Sequence, residues 1–180
     1  MRLNCGLILL TVLLWNALTI APGYAQGAAP SLYGIKEIIV QAAQINNAQA
    51  AEACGITRAD ITEALLSVLR SANVPAMDVN EAPPSIVEIP RINLRPEVAL
   101  TNNGQGLDCT SWLSLNAESK NNLIIPPITI PKNVQIIYWR EGAIVTSTQS
   151  AHGQIINDVI RKMAGNFAKQ YIASQPQKIK

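Results

Sequence analysis

The chain has 180 residues, a formal net charge of +2 from 14 Lys+Arg against 12 Asp+Glu, and 48 % apolar residues. One histidine excludes multi-histidine metal sites, and near-neutral charge argues against a dedicated nucleic-acid binder. The apolar content is too high for a disordered chain, and the length suits one domain with a leader.

Residues 1–25 read as a secretory signal peptide. Arg2 is the only charge before Lys36, and Leu7 to Leu14 is an apolar core of signal-peptide length. Pro22-Gly23 breaks the helix, and Gly23 and Ala25 supply small residues at positions −3 and −1 of a cleavage site. A spanning helix needs about 20 apolar residues, and Asn16 and Pro22 interrupt this run. Cys5 precedes the apolar stretch and follows Asn4, which is not the setting of a lipoprotein acceptor. Cleavage after Ala25 leaves 155 residues with a net charge of +1. That is enough for one core burying roughly 68–70 % of the extended chain's surface. The expected location is the periplasm or the exterior.

Loss of the leader removes Cys5 and leaves Cys54 and Cys109. An even pair in an oxidising compartment reads as a disulfide. Closing a loop of about 55 residues contributes roughly 4 kcal/mol in the chain-entropy model. There is no Cys-x-x-Cys, and Cys54, Cys109 and His152 fall short of the four ligands of a structural zinc site. No metal and no cofactor is expected.

Residues 26–33 form a small, flexible mature N-terminus, and a single domain is expected over 34–174. Ile38 to Val40 favour a strand within 36–45, followed by a polar loop through Glu52. Thr57-Arg58-Ala59-Asp60 resembles a capping box, and Ile61, Leu65, Val68, Leu69 and Ala72 recur at helical spacing. Asn73 is a left-handed stop and Pro75 forbids continuation, so a helix spans about 58–72. Ile92, Leu94, Val98 and Leu100 alternate with wetter residues, a strand of period two. Pro90 and Pro96 share the apolar parity and make it an edge strand or a broken one. Asn102 to Gly106 is a hairpin loop, with a return strand at about 108–117. Cys109, Leu113 and Leu115 face the core there, and Trp112 faces away. The proline-rich stretch 123–132 is an irregular connection. Residues 134–140 form a strand, and Glu141-Gly142 turns it into a short partner over 143–148. Ile155, Ile156, Val159, Ile160, Met163, Phe167 and Tyr171 form a helical stripe, with Arg161, Lys162 and Lys169 off it. Residues 175–180 are a C-terminal tail.

The expected fold is α+β: an antiparallel sheet of three to five strands in β-α-β-β-β-α order, with two amphipathic helices packed on one face. The Cys-Gly-Ile-Thr lead-in to a helix at Cys54–Thr57, the hairpin with a second cysteine, and Tyr-Trp-Arg-Glu-Gly before a long terminal helix carry a resemblance. Over about 35–173 the chain resembles small exported envelope proteins of Proteobacteria. Its element order is similar to that of the ABC-transport auxiliary and lipopolysaccharide-assembly lipoproteins. The resemblance implies a non-enzymatic adaptor, whereas the lipoproteins' acceptor cysteine has no counterpart here.

Catalytic signals are sparse. His152 opens the last helix near Ser147, Ser150 and Asp158, but proximity in sequence is not a triad, and a capping or surface role is expected. No Gly-x-Ser-x-Gly elbow or nucleotide fingerprint occurs. Trp112, Tyr138, Trp139 and Arg140 are of the types that form interaction hot spots when exposed together; the competing expectation is a second core layer. The expected function is therefore an exported binding or adaptor domain of the bacterial cell envelope. Its partner is an envelope protein or ligand, with no nucleic acid and no stable membrane span after leader cleavage. The alternatives are a carboxylate-dependent hydrolase, or a secreted inhibitor or effector presenting loop 123–132.

Overall fold

A computed structural model describes residues 31–83, 91–102, 108–121, 124–125, 128–129 and 134–176. Residues 1–25, expected to be a leader, the next five residues, most of the expected hairpin loop and most of the proline-rich connection lie outside these residues. The element order is β1 (Glu37–Val40), β2 (Gln44–Ile45), α1 (Ala48–Ala53), α2 (Arg58–Ser71), β3 (Ala76–Asp78), β4 (Arg91–Asn102), β5 (Asp108–Asn121), β6 (Ile124–Ile125), β7 (Ile128–Thr129), β8 (Val134–Thr148) and α3 (Gln149–Ser174). The fold is α+β, as the sequence predicts. Six strands form the main sheet, in the order β3-β1-β4-β5-β8 with β2 also on β4. The long pairs β4–β5 and β5–β8 are antiparallel, whereas β1, β2 and β3 join in parallel, which alternation within each strand could not reveal.

Helix α2 starts and stops where its caps predict. The Asp60 N–H donates to Thr57 Oγ1 at 3.0 Å, and the Thr57 hydroxyl donates to Asp60 Oδ2 at 2.7 Å. At the other end Asn73 has a φ of 56°, and the N–H groups of Asn73 and Val74 donate to the carbonyls of Arg70 and Leu69. That is a Schellman closure, with Pro75 barring another turn. Helix α1 falls where a polar loop is expected. Asn47 caps it by accepting from the Ala50 N–H, and its small residues let Ala50 and Ala51 bury.

Strand β4 corrects the expectation of an edge. It lies inside the sheet, and Pro96 is buried. The carbonyls of Leu94 and Val98 accept from Gln41 and Asn46, so even-numbered β4 residues turn their backbone toward β1 and β2. The missing N–H of Pro96 falls between the last β1 pair, Val40–Leu94, and the first β2 pair, Gln44–Glu97. The strand that should receive it is interrupted there, so no ladder bond is lost.

Strand β8 is a second correction. Glu141-Gly142 does not turn; the strand runs 15 residues without reversal. Gly142 is not among the glycines of positive φ, and it pairs with Ser114. A Cβ there would sit 3.3 Å from the Leu113 carbonyl oxygen, so glycine serves close backbone approach. A bulge opposite Ala117–Glu118 shifts the register near Tyr138. Within the proline-rich connection, Ile124–Ile125 pairs with Ile128–Thr129 as a small separate hairpin.

One face of the sheet forms the core against α2 and α3. Ile38, Ile92, Leu94, Leu113 and Leu115 meet Ile61, Leu65, Leu69, Ile156, Ile160 and Phe167, all fully buried. The α3 stripe is as expected except for Ile155, which is exposed. The core begins earlier than expected. Leu32, placed in the flexible N-terminus by the sequence, is buried, and its carbonyl accepts from the Gln175 amide at 3.0 Å. The Tyr171 hydroxyl donates to the Ile35 carbonyl at 2.8 Å, and burial raises its pKa. Among the described residues, no helix is long and apolar enough to cross a membrane.

Candidate functional site

The disulfide joins Cys54, at the end of α1, to Cys109 in β5, with Cα atoms 6.2 Å apart. Both are buried. The start of α3 presses on the same corner: a Cβ on Gly153 would lie 2.1 Å from the Gly55 carbonyl oxygen. Gly55 has a φ of 66°, a left-handed turn suited to glycine. The first turn of α3 thus meets this corner with no space for a side chain at position 153.

His152 lies beside this corner and is fully buried, neither cap nor surface residue. Its Nε2 is 2.8 Å from Ser111 Oγ, and its Nδ1 is 2.7 Å from Ser147 Oγ. A neutral imidazole can donate through one nitrogen and accept at the other, so the two serines satisfy it completely. Burial disfavours the charged ring and lowers its pKa. Ser111 is also fully buried, so this serine–histidine contact has no solvent-facing position for a substrate.

The sheet's other face carries the polar and exposed groups. Reading across β4, β5 and β8 gives aligned rows: Thr101, Thr110 and Thr146; then Ala99, Trp112 and Ile144; then Glu97, Ser114 and Gly142; then Arg95, Asn116 and Arg140. Trp112 is 44 % exposed and Ile144 is 75 % exposed. Trp112 also borders an open recess of about 330 Å³ with Gln44, Ile45, Asn46 and Glu97. Below this apolar row the polar groups are fixed. Asn116 Oδ1 accepts from Arg140 Nε at 2.6 Å and from the Ser114 hydroxyl at 3.1 Å. Arg95 Nη2 stands 2.8 Å from Glu118 Oε1, and the Gln135 amide donates to Glu118 Oε2. Glu118 is buried, and Arg95 offsets part of the cost of enclosing its charge, although Oε1 accepts no hydrogen bond among the described residues.

The four aromatic and arginine candidates do not form one surface. Trp112 and Arg140 share the open face, two rows apart. Trp139 lies toward the helices, edge-on to Phe167 with ring centroids 5.3 Å apart. Tyr138 packs partly against the core, its hydroxyl 3.2 Å from Ser119 Oγ. The bulge near Tyr138 keeps these adjacent residues from simple alternation. Ser114, Asn116 and Glu118 lie on the same side of the sheet but are buried, and they escaped the sequence reading. Their parity, opposite that of Cys109, Leu113 and Leu115 in β5, was the available signal, as the alternation with Ile92 and Leu94 was for Arg95 in β4.

Another recess of about 400 Å³, beside α2, is bordered by the carboxylates of Glu63, Asp78 and Glu81. Glu81 pairs with Arg70 at 3.4 Å, and Asp78 Oδ1 accepts from the backbone and side-chain N–H groups of Asn80. Among the described residues, no group of three His, Cys, Asp or Glu side chains could hold a metal ion.

No protein-family model and no curated protein matches the chain. Solved structures are similar in layout. A PelC dodecamer from Paraburkholderia phytofirmans is 8 % identical, covering 79 % of this chain and 92 % of its own, with a TM-score of 0.43. The hypothetical protein CT253 from Chlamydia trachomatis is 9 % identical, covering 77 % and 99 %, with a TM-score of 0.42. A neuraminyllactose-binding hemagglutinin homologue from Helicobacter pylori is 14 % identical, covering 76 % and 82 %, with a TM-score of 0.35. Nothing about activity follows from likenesses of this degree.

Proposed function

We propose that the chain is an exported binding or adaptor domain of the bacterial cell envelope, with no enzymatic activity, that meets its partner through the open face of the sheet. The observation that carries this reading is the exposed Trp112–Ile144 row, with two polar pairs, Arg95–Glu118 and Arg140–Asn116, fixed on the same face. A large aromatic presented on a rigid sheet beside arginine is the composition of an interaction hot spot. Its rigidity lowers the entropy cost of association. Export is supported by the leader pattern of residues 1–25 and by the Cys54–Cys109 bridge, which suits an oxidising compartment. Affinity capture from envelope fractions, using the wild type, Trp112→Ala and Lys162→Ala, tests the reading. The partner should be lost with Trp112→Ala and retained with Lys162→Ala. Equal recovery by both variants, or turnover of an envelope substrate abolished by one point mutation, would contradict it.

A further inference from the structure

Strand β8 is the last strand of the sheet, and among the described residues nothing pairs with its outer edge. The direction of its backbone groups follows from the register. Even-numbered β4 residues face β1 and β2, so odd-numbered ones face β5. Carried across the aligned pairs, odd-numbered residues of β8 between 139 and 147 face β5. The N–H and C=O groups of Arg140, Gly142, Ile144, Thr146 and Thr148 therefore point outward. All five residues are exposed.

Edge strands are normally blunted by charge, proline or bulges. From Gly142 to Thr148 this edge has no charge and no proline, and Ile144, Val145, Thr146 and Thr148 are β-branched. The bulge near Tyr138 closes the regular stretch at one end, and α3 begins at Gln149 at the other. The outward residues between these limits are centred on Ile144.

We infer that β8 pairs antiparallel with β8 of a second copy of this chain, about a two-fold axis at Ile144. An antiparallel two-fold keeps side chains on the correct faces only when it is centred on a residue. It forms edge hydrogen bonds in closely spaced pairs only when that residue's backbone points outward. Ile144 meets both conditions and leaves the regular stretch fully paired. Ile144 then faces its own copy, Thr146 faces Gly142, and Thr148 faces Arg140. Centring on Glu141 would instead place like carboxylates opposite each other, which is unfavourable. The Ala99–Trp112–Ile144 rows of the two copies become one row across a continuous sheet, with the helices of both on the opposite side. The closed two-fold leaves neither β8 edge open to further pairing. The pairing is independent of whether the open face holds a partner.

The test uses the full chain, expressed with its leader and purified from the exported fraction. Light scattering should give the mass of two chains, and Ile144→Lys should halve it by setting two ammonium groups opposite each other. Ile144→Cys should form a dimer linked through position 144 on oxidation, because the paired Cα atoms fall within the roughly 4.4–6.8 Å that a disulfide spans. Thr146→Cys should not, since its two copies lie four residues out of step, about 13 Å along the strands. The cysteine pair decides the matter if Ile144→Lys fails to fold. A monomeric wild type, a mass unchanged by a folded Ile144→Lys, or linkage at 146 in place of 144 overturns the inference.

Discussion

Gly153→Ala and Gly165→Ala lie in the same helix and should move stability in opposite directions. Alanine exceeds glycine in helix propensity by about 1 kcal/mol at an interior position, so the substitution alone favours both variants. Gly165 has open space at its Cβ position and should show that gain. At Gly153 the new carbon meets Gly55 O at 2.1 Å and Gly55 C at 2.8 Å. Those are backbone atoms of a left-handed turn beside the disulfide, and no rotamer change removes them. Overpacking of a well-packed site costs about 1–3 kcal/mol, and a contact this close to backbone belongs at the upper end. The net result is a loss of about 2 kcal/mol, roughly 3 kcal/mol below Gly165→Ala. At about 2–4 °C per kcal/mol, the two melting temperatures should differ by roughly 6–12 °C. Urea denaturation followed by circular dichroism gives the free energies directly. Equal stabilisation by both substitutions would refute the packing of α3 against the Cys54–Gly55 corner.

Cys54→Ser, Cys109→Ser and the double variant should each lose about 4 kcal/mol, because all three open the same loop of sequence separation 55; additive losses in urea titrations would contradict a shared bridge. Ile160→Ala, at a fully buried site, should cost about 2–5 kcal/mol, and exposed Lys162→Ala should stay within about 0.5 kcal/mol; similar losses would remove the stripe from the core. His152 has a folded pKa below its ordinary 6.5, so its unfolded form takes up a proton first as pH falls. Stability should be full above that value and decline from there down through the folded pKa, by at most about 1.4 kcal/mol per pH unit. Urea midpoints across that range should show a shallower decline in His152→Gln, and an identical decline would assign the titration elsewhere.

Local rules were legible where one element decided its own fate. The Thr57 cap, the Asn73 stop and the α3 stripe each required only neighbours along the chain. The same holds for the parity that sends Cys109 inward and Trp112 outward. The readings failed where the deciding partner was distant. Pro96 looks like an edge residue until β1 and β2 are seen to leave a gap opposite it. Gly142 looks like a turn until β5 lies alongside as a template. Asn47 can cap α1 only because Ala50 and Ala51 then find a core to enter. The site followed the same division. Trp112 was visible by parity, and Trp139 follows the same alternation toward the helices, but the bulge at Tyr138 places that residue against the core as well. The Arg95–Glu118 pair needed the β4–β5 register before either residue had a role.

Crosslinking in living cells decides whether the open face meets a partner in the envelope. A photoreactive amino acid at position 112 is compared with the same group at position 162, which is exposed on α3 on the opposite side of the sheet. A discrete adduct is expected from position 112, larger than the chain crosslinked to itself, in the periplasmic or membrane-associated fraction and absent from position 162. No adduct at 112, or the same adduct from both positions, would contradict it.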